Sequence, residues 1–335
     1  MGGGYSKPKE VPSKHFPTFF AALPSMAGKV VCITGCTSGT GLITAKSVAQ
    51  KGAEVVMLNR PSERATKAEA SVKEAAPGAK VCTVDCDLQS LDSVRSCAEE
   101  LKKKYREGID VLCCNAGVMA LPDEATKDGY DVQMQTNHLS HFLLTKELWP
   151  LLEKAAEKNG EARVVQHSSE ARKMPNTAVK AEYYGKNGGN LGGNGSSMLF
   201  GGARWERYHQ TKLANCVFTA ALDDRIKEKG SKIKALVAHP GLAATNLQVT
   251  TSGSGGMGGS FTNMLMGMMA QSAEDGSMGI LQCCCGAEVG SGELWGPKGF
   301  AGVAVRIPME PLCTNLMSKK TLWEKSCEAV GDFMA

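Results

Sequence analysis

The sequence predicts an α/β fold: a parallel sheet of about seven strands, doubly wound with helices on both faces, in a single domain. Three observations carry this reading. Apolar, β-rich runs alternate with helical patterns through most of the 335 residues. A glycine-rich turn joins the first such run to the helix after it. The 42% hydrophobic content comes with no internal repeat and no clear linker, which suits one large core.

The elements follow in chain order. Residues 29–34 read as a buried strand, followed by the glycine turn and a helix over about 42–51. A second strand covers 54–58, and a helix over 64–74 stops before Pro77-Gly78. A third strand at 81–84 precedes a helix at 91–105, and 110–114 is the fourth strand. Residues 130–156 form a long helical region, interrupted near Pro150. The fifth strand is 163–167, a helix spans 208–227, and the sixth strand is 233–238. Right-handed crossovers between parallel strands then give a doubly wound, Rossmann-type sheet over 28–310. Residues 1–27 form an N-terminal extension. Residues 311–335 form a helical tail, amphipathic through Leu316, Leu322, Trp323 and Cys327. Two stretches break the pattern: 185–204 is rich in Gly and Asn, and 250–270 turns from Gly/Ser-rich to Met-rich.

Composition removes several function classes. The net charge is +4 with no long basic block, so nucleic-acid binding has little electrostatic support. Thirteen spread-out cysteines fit an intracellular, reducing compartment, most simply the cytoplasm, and not a disulfide scaffold. None recurs with zinc spacing, so no metal is expected. Most should be small buried hydrophobes, the run Cys283-Cys284-Cys285 forming core and helix surface. Cys36, at the start of a helix, is a candidate oxidation-sensitive thiol. No stretch has the apolar length of a membrane span. Phe16, Phe19, Phe20 and Leu23 are interrupted by Pro12, Pro17 and Pro24, unlike a signal peptide. Met1-Gly2-Gly3-Gly4-Tyr5-Ser6 fits the N-myristoylation pattern, with Lys7 and Lys9 following; a plain Gly-rich tail is the alternative. Acylation at Gly2 would give weak membrane association.

Two segments carry chemistry. Tyr208 and Lys212 stand four residues apart, so on a helix they share one face. A nearby ammonium favours the phenolate and makes the pair a general acid/base. In the loop from Thr34 to Gly41, Gly35, Gly39 and Gly41 allow a tight turn and close backbone approach to a phosphate at a helix N-terminus.

With these residues the chain resembles the short-chain dehydrogenase/reductase family over roughly 28–300. The resemblance rests on Thr34-Gly35-x-x-x-Gly39-x-Gly41, Asn115-Ala116-Gly117, Asn137 in Thr136-Asn137-His138-Leu139, Ser168-Ser169, Tyr208-x-x-x-Lys212 and Pro240-Gly241-x-x-x-Thr245, in that order. It implies a nicotinamide cofactor. Gly35, Thr37, Ser38, Gly39, Thr40 and Gly41 would form the pyrophosphate loop, and Asp87 and Leu88 would border the adenine. Asp87 has a competing role as a helix N-cap. Asn115, Ala116 and Gly117 would line the cofactor groove, with Val118 on the adjacent wall. Pro240, Gly241 and Thr245 would flank the nicotinamide. The second strand ends in Asn59-Arg60, where an NAD-preferring fold usually carries an acid. Arg60 can pair with a 2′-phosphate, so NADP(H) is favoured, a solvated surface charge being its bland alternative.

The resemblance implies that Tyr208 exchanges a proton with the substrate oxygen and that Lys212 lowers its pKa and binds the nicotinamide ribose. Ser169 would hydrogen-bond that oxygen, with Ser168 competing because neighbours on a strand face opposite ways. Asn137 would hold a helix kink and a water on the proton path, or the kink alone. Within the family, Asn115–Met119, Asn137-His138-Leu139-x-His141-Phe142 and Tyr208-x-Gln210-x-Lys212-Leu213-Ala214-Asn215 look like retinol dehydrogenases and WW-domain oxidoreductases. Protochlorophyllide reductases usually have alanine where Gly117 stands. The 39 residues from Ser169 to Tyr208 exceed the family's usual spacing and bear on the substrate pocket. The Met-rich stretch falls at the family's substrate loop, and methionines suit an apolar substrate. The Gly/Asn-rich stretch reads as a flexible surface insertion. The expected activity is hydride transfer to or from an apolar carbonyl/alcohol pair, and the alternative is a cofactor-binding scaffold subunit. A homodimer is a family expectation.

Overall fold

The computed structural model describes residues 11–196, 200–243, 251, 255–256 and 270–334. Eight strands form one sheet: β1 (Val30–Thr34), β2 (Glu54–Asn59), β3 (Val81–Asp85), β4 (Val111–Cys114), β5 (Ala162–His167), β6 (Ile233–Ala238), β7 (Glu293–Gly296) and β8 (Val305–Ile307). Their spatial order is β3-β2-β1-β4-β5-β6-β7-β8. All neighbours pair parallel except β7 with β8, which is antiparallel. The order reverses between β1 and β4, and there the carboxyl ends of the strands open a crevice. The sheet thus has eight strands where about seven were expected. The additional β8 is three residues long, and Val305 and Arg306 are exposed, so it carries no apolar run to announce it.

Side-chain alternation assigns each strand to two cores. Cys32, Val56 and Leu58 face a cluster built with α4 (Leu91–Lys104), α6 (Ser140–Asn159) and α7 (Ala203–Glu228). Val31, Ile33, Val55 and Met57 face the opposite cluster, built with α2 (Gly39–Gln50), α3 (Glu63–Ala75) and α8 (Ala273–Cys285). Every strand buried on both faces must be apolar on both, which is why the strands read as continuous runs.

Three element readings need correction. Pro150 does not interrupt the long helix; α6 runs through it. Pro150 is exposed, so water can satisfy the carbonyl that its missing N–H leaves free. The irregularity comes earlier, as a π turn at Gln135–Leu139 between α5 (Val132–Met134) and α6. The helix carrying Tyr208 begins at Ala203, not at Tyr208, with Gly202 at φ 88 before it. On the last helix, α10 (Leu316–Val330), Leu322 and Trp323 are buried but Leu316 is 76% exposed. Trp323 packs edge-on against Phe142 at 5.1 Å and carries the Arg225 guanidinium at 3.7 Å. A short helix, α9 (Pro311–Thr314), precedes α10.

Within the N-terminal extension, α1 (Phe16–Ala22) lies against the α8 side, with Phe16, Phe19 and Phe20 on that core. Gly2, Lys7 and Lys9 lie outside the described residues, as do most of the Met-rich stretch and Thr245. Among the described residues no helix is long and apolar enough to cross a membrane, and none forms a cluster that could hold a metal ion. All thirteen cysteines are free thiols, and Cys283, Cys284 and Cys285 are all buried.

Candidate active site

The crevice at the strand ends is a cavity of about 1040 Å³. Its floor is the loop after β1. Gly35 and Gly39 adopt φ of 73° and 57°, a region L side chains rarely enter. A Cβ on Gly41 would fall 2.3 Å from the Gly35 carbonyl oxygen. Asn115, just past β4, staples this loop: Nδ2 donates to the Thr34 and Gly35 carbonyls at 2.9 and 3.2 Å. Its Oδ1 accepts from Thr40 Oγ1 at 3.1 Å and lies 3.0 Å from His167 Nδ1. The N-cap of α2, Ser38, makes no side-chain cap hydrogen bond, so the first N–H groups of a 12-residue helix face the cavity without it. This glycine cradle fits the pyrophosphate of a dinucleotide.

Cys36 is not the reactive thiol its position suggested. It is fully buried, its Sγ donates to Ile33 O at 3.1 Å, and burial pushes its pKa up. Desolvation outweighs the helix terminus here.

At the far end, Arg60 is exposed on the cavity wall. Sequence reasoning missed its companion, Arg64, four residues on in the first turn of α3, whose Nη2 donates to Ser38 Oγ at 3.4 Å. The signal was present as a second guanidinium at the start of the helix that follows Arg60. Asp87 and Leu88 border the same end. Asp87 is not the N-cap of α4: that role belongs to Ser90, whose hydroxyl accepts from Ser93 N. Asp87 instead accepts from Gln89 N at 3.0 Å.

The reacting end gathers the other expected residues. Ser168 and Ser169 both border the cavity; the Ser168 hydroxyl donates to the Lys212 carbonyl at 2.7 Å, while Ser169 is the one that hydrogen-bonds Tyr208, the arrangement expected of the second serine. Tyr208 is 4% exposed; burial pushes its pKa up to about 12, and a hydrogen bond with Ser169 pulls against that. Lys212 Nζ donates to His167 O at 3.0 Å and lies 5.7 Å from the Tyr208 ring centre. Burial lowers its pKa to about 8, so it remains an ammonium at neutral pH. Gly117 lies beside the ammonium, a Cβ there standing 3.4 Å from that Nζ. Asn137 sits in the π turn with both amide donors used: Oδ1 accepts from Val118 N at 2.8 Å, and Nδ2 donates to Val118 O and Thr211 Oγ1 at 2.9 and 2.8 Å. It ties the wall after β4 to the helix that carries Tyr208. Ala116, Pro240 and Gly241 also line the cavity, and Gly241 at φ 61° passes 2.4 Å from Phe300 O as measured from a notional Cβ.

Around Tyr208 the cavity is walled largely by apolar side chains, Met119, Ala171, Met174, Phe200, Trp205 and Phe300, with Glu170, Lys173 and His209 among them. Phe200 meets Trp205 edge-on at 4.8 Å, and Trp205 meets Tyr208 at 5.8 Å. The Gly/Asn-rich stretch lies at the surface but is anchored: the Asp123 carboxylate accepts from the N–H groups of Gly189, Leu191 and Gly193 at 3.0, 2.7 and 2.8 Å.

Comparison with known proteins places this geometry in a family. The short chain dehydrogenase family model matches residues 29–185. A short-chain dehydrogenase/reductase of Armillaria gallica is 33% identical over 90% of this chain and 90% of its own. The chain belongs to the short-chain dehydrogenase/reductase family. A polyprenol dehydrogenase of Homo sapiens is 29% identical over 92% of this chain and 87% of its own. The crystal structure of an uncharacterized protein from Mycobacterium Paratuberculosis superposes with a TM-score of 0.72 at 30% identity, covering 94% of this chain and 98% of that one. With other curated relatives the match spans 64% of their length.

Proposed function

We propose that the protein is an NADP(H)-dependent oxidoreductase that interconverts an apolar aldehyde or ketone and its alcohol. The observation that carries this is one cavity with three chemistries in sequence. Arg60 and Arg64 stand at one end, the glycine loop in the middle, and Tyr208, Lys212 and Ser169 against an apolar wall at the other. The two guanidiniums suit a 2′-phosphate and favour NADP(H). When bound, the cofactor supplies or accepts the hydride.

The side chains do the rest. The Ser169 hydroxyl can orient the substrate oxygen. In reduction, the Tyr208 hydroxyl gives its proton to that oxygen as the carbonyl becomes an alcohol, and in oxidation it takes the proton back. The Lys212 ammonium stabilises the phenolate that remains. Apolar side chains at Met119, Trp205 and Phe300 match a long or cyclic hydrocarbon substrate. The lipid alcohol named for the human relative is of that kind.

The test is consumption of NADPH with a panel of apolar aldehydes and ketones that includes retinal. Turnover reduced about 10²–10⁴-fold in Tyr208→Phe supports the reading. Equal turnover by variant and native protein refutes the role of Tyr208. Tight NADPH binding without turnover on any carbonyl would instead favour a cofactor-binding subunit of a larger assembly.

A further inference from the structure

Arg207, one residue before Tyr208, has a guanidinium with no exposed surface that touches no part of the cavity. It is the hub of a buried network. Nη1 donates to the Leu191 and Gly193 carbonyls, both at 2.9 Å. Nη2 donates to Leu121 O at 3.3 Å. Nε stands 3.3 Å from Asp131 Oδ1, and the other oxygen of Asp131 caps α5 through Gln133 N and Met134 N. Asp123, its side chain 2% exposed, lies 3.7 Å from Nη1 and grips the amides of 189, 191 and 193. Three segments meet here: the loop after β4, the Gly/Asn-rich insertion, and the start of the helix that carries Asn137.

Each of the first two segments contains a strained residue packed against the Trp205–Tyr208 side of the cavity. Ala120 has φ 46° and Phe200 has φ 59°, and neither is a glycine. Both pack with Trp205 and Tyr208. Such conformations persist only where their surroundings enforce them. Leu121, held by Arg207, is the next residue after Ala120. The insertion also reaches the substrate loop: Ser196 Oγ and Trp205 Nε1 both donate to Gly256 O, at 3.0 and 2.9 Å. Thr251 Oγ1 donates to Met119 O at 2.9 Å.

We propose that Arg207 and Asp123 are positioning residues for specificity: they hold the insertion and the loop after β4 in register, and so set how bulky a carbonyl substrate the apolar wall admits. The inference rests on the carbonyl-reductase reading of the same cavity. The pair acts through Ala120, Phe200 and Trp205 and touches neither the reacting atoms nor the cofactor loop.

The experiment compares Asp123→Ala, Asp123→Asn and Arg207→Lys with the native full chain. Steady-state constants are measured for hexanal and retinal, NADPH affinity by fluorescence, and hydrogen exchange at the amides of 189, 191 and 193. In Asp123→Ala those amides exchange faster, KM for retinal rises about tenfold relative to hexanal, and NADPH affinity stays within about twofold. The change falls in KM and not in kcat, and Asp123→Asn, which keeps one acceptor oxygen, recovers part of it. Faster exchange with an unchanged retinal-to-hexanal KM ratio overturns the proposal. An equal loss of NADPH affinity overturns it too, because the defect is then general. If Arg207→Lys does not fold, the two Asp123 variants decide alone. If the native protein reduces neither aldehyde, the reductase reading fails separately. Retinal binding, read as quenching of tryptophan fluorescence, then tests the wall: weakening in Asp123→Ala supports the positioning role, and unchanged binding removes it.

Discussion

Lys212 shows how one residue can serve chemistry at the expense of stability. Burial lowers its pKa from 10.5 to about 8. Between those values the unfolded chain holds a proton that the folded chain has released, so stability rises with pH across that window. Below about pH 8 the folded protein carries the buried ammonium, a burden on the order of 3 kcal/mol by the size of the shift. The His167 carbonyl that Lys212 contacts has a second donor in Asn215 Nδ2 at 2.9 Å, so losing the lysine does not orphan it. We therefore expect Lys212→Met to abolish turnover while leaving the unfolding temperature at pH 7 unchanged or raised. Its stability should no longer climb between pH 8 and 10. A melting temperature lowered by more than about 5 °C at pH 7 would contradict this. Tyr208 obeys the opposite sign: burial raises its pKa to about 12, so the neutral phenol is the resting form and a proton donor.

At the level of elements, the site is made where a strand end, a glycine turn and a helix start coincide. The pair Arg60 and Arg64 brackets the turn from β2 into α3, and Arg64 reaches Ser38 across to α2. Arg64→Ala should weaken NADPH binding about tenfold and leave NADH binding unchanged, as titrations of cofactor fluorescence would reveal. Equal weakening of both would mean that Arg64 shapes the loop without reading the 2′-phosphate. A second element effect concerns α1. The Asp275 carboxylate accepts from Ser13 Oγ and from the N–H groups of Lys14, His15 and Phe16, at 2.8 to 3.0 Å. Burial acts to raise its pKa, but these donors outweigh it and the net shift is downward. Asp275→Ala should cost on the order of 2 kcal/mol in urea unfolding and open the chain to trypsin at Lys14. Unchanged cleavage at Lys14 would show that the phenylalanines alone hold α1.

Across the whole molecule, acid sensitivity comes from buried neutral imidazoles. Burial lowers His138 and His167 to about 3, and His141 and His239 to about 4, from 6.5. Their folded pKa values are depressed, so the unfolded chain takes up protons that the folded chain refuses as pH falls below 6.5. Stability from these groups is complete above pH 6.5 and is lost on the way to pH 4, by up to about 1.4 kcal/mol per histidine per unit. Asp131, pushed up to about 6 by burial, opposes this over part of the range. The urea midpoint should therefore fall between pH 7 and pH 5. His138 joins the π turn before α6 to α10 through Ser326 Oγ at 2.8 Å, and His138→Gln should make the fall shallower. An unaltered slope would exclude His138 from the linkage.

The pairing of Tyr208 with Lys212 on one helix face, and the tight turn through Gly35, Gly39 and Gly41, were legible in the sequence because their meaning is local, whereas Asn115-Ala116-Gly117 came only through the family resemblance. The doubly wound parallel sheet was legible for the same local reason, since alternating runs and helices leave few right-handed ways to wind it. Tertiary structure alone decided Ser90 over Asp87 as the cap and a buried thiol at Cys36 over a reactive one. It also decided that residues 189–193 are gripped by Asp123, some 70 positions earlier in the chain. Those outcomes depend on which groups a fold desolvates and which distant partners it brings within hydrogen-bond reach. Neither quantity has a period or a spacing that a one-dimensional sequence can carry.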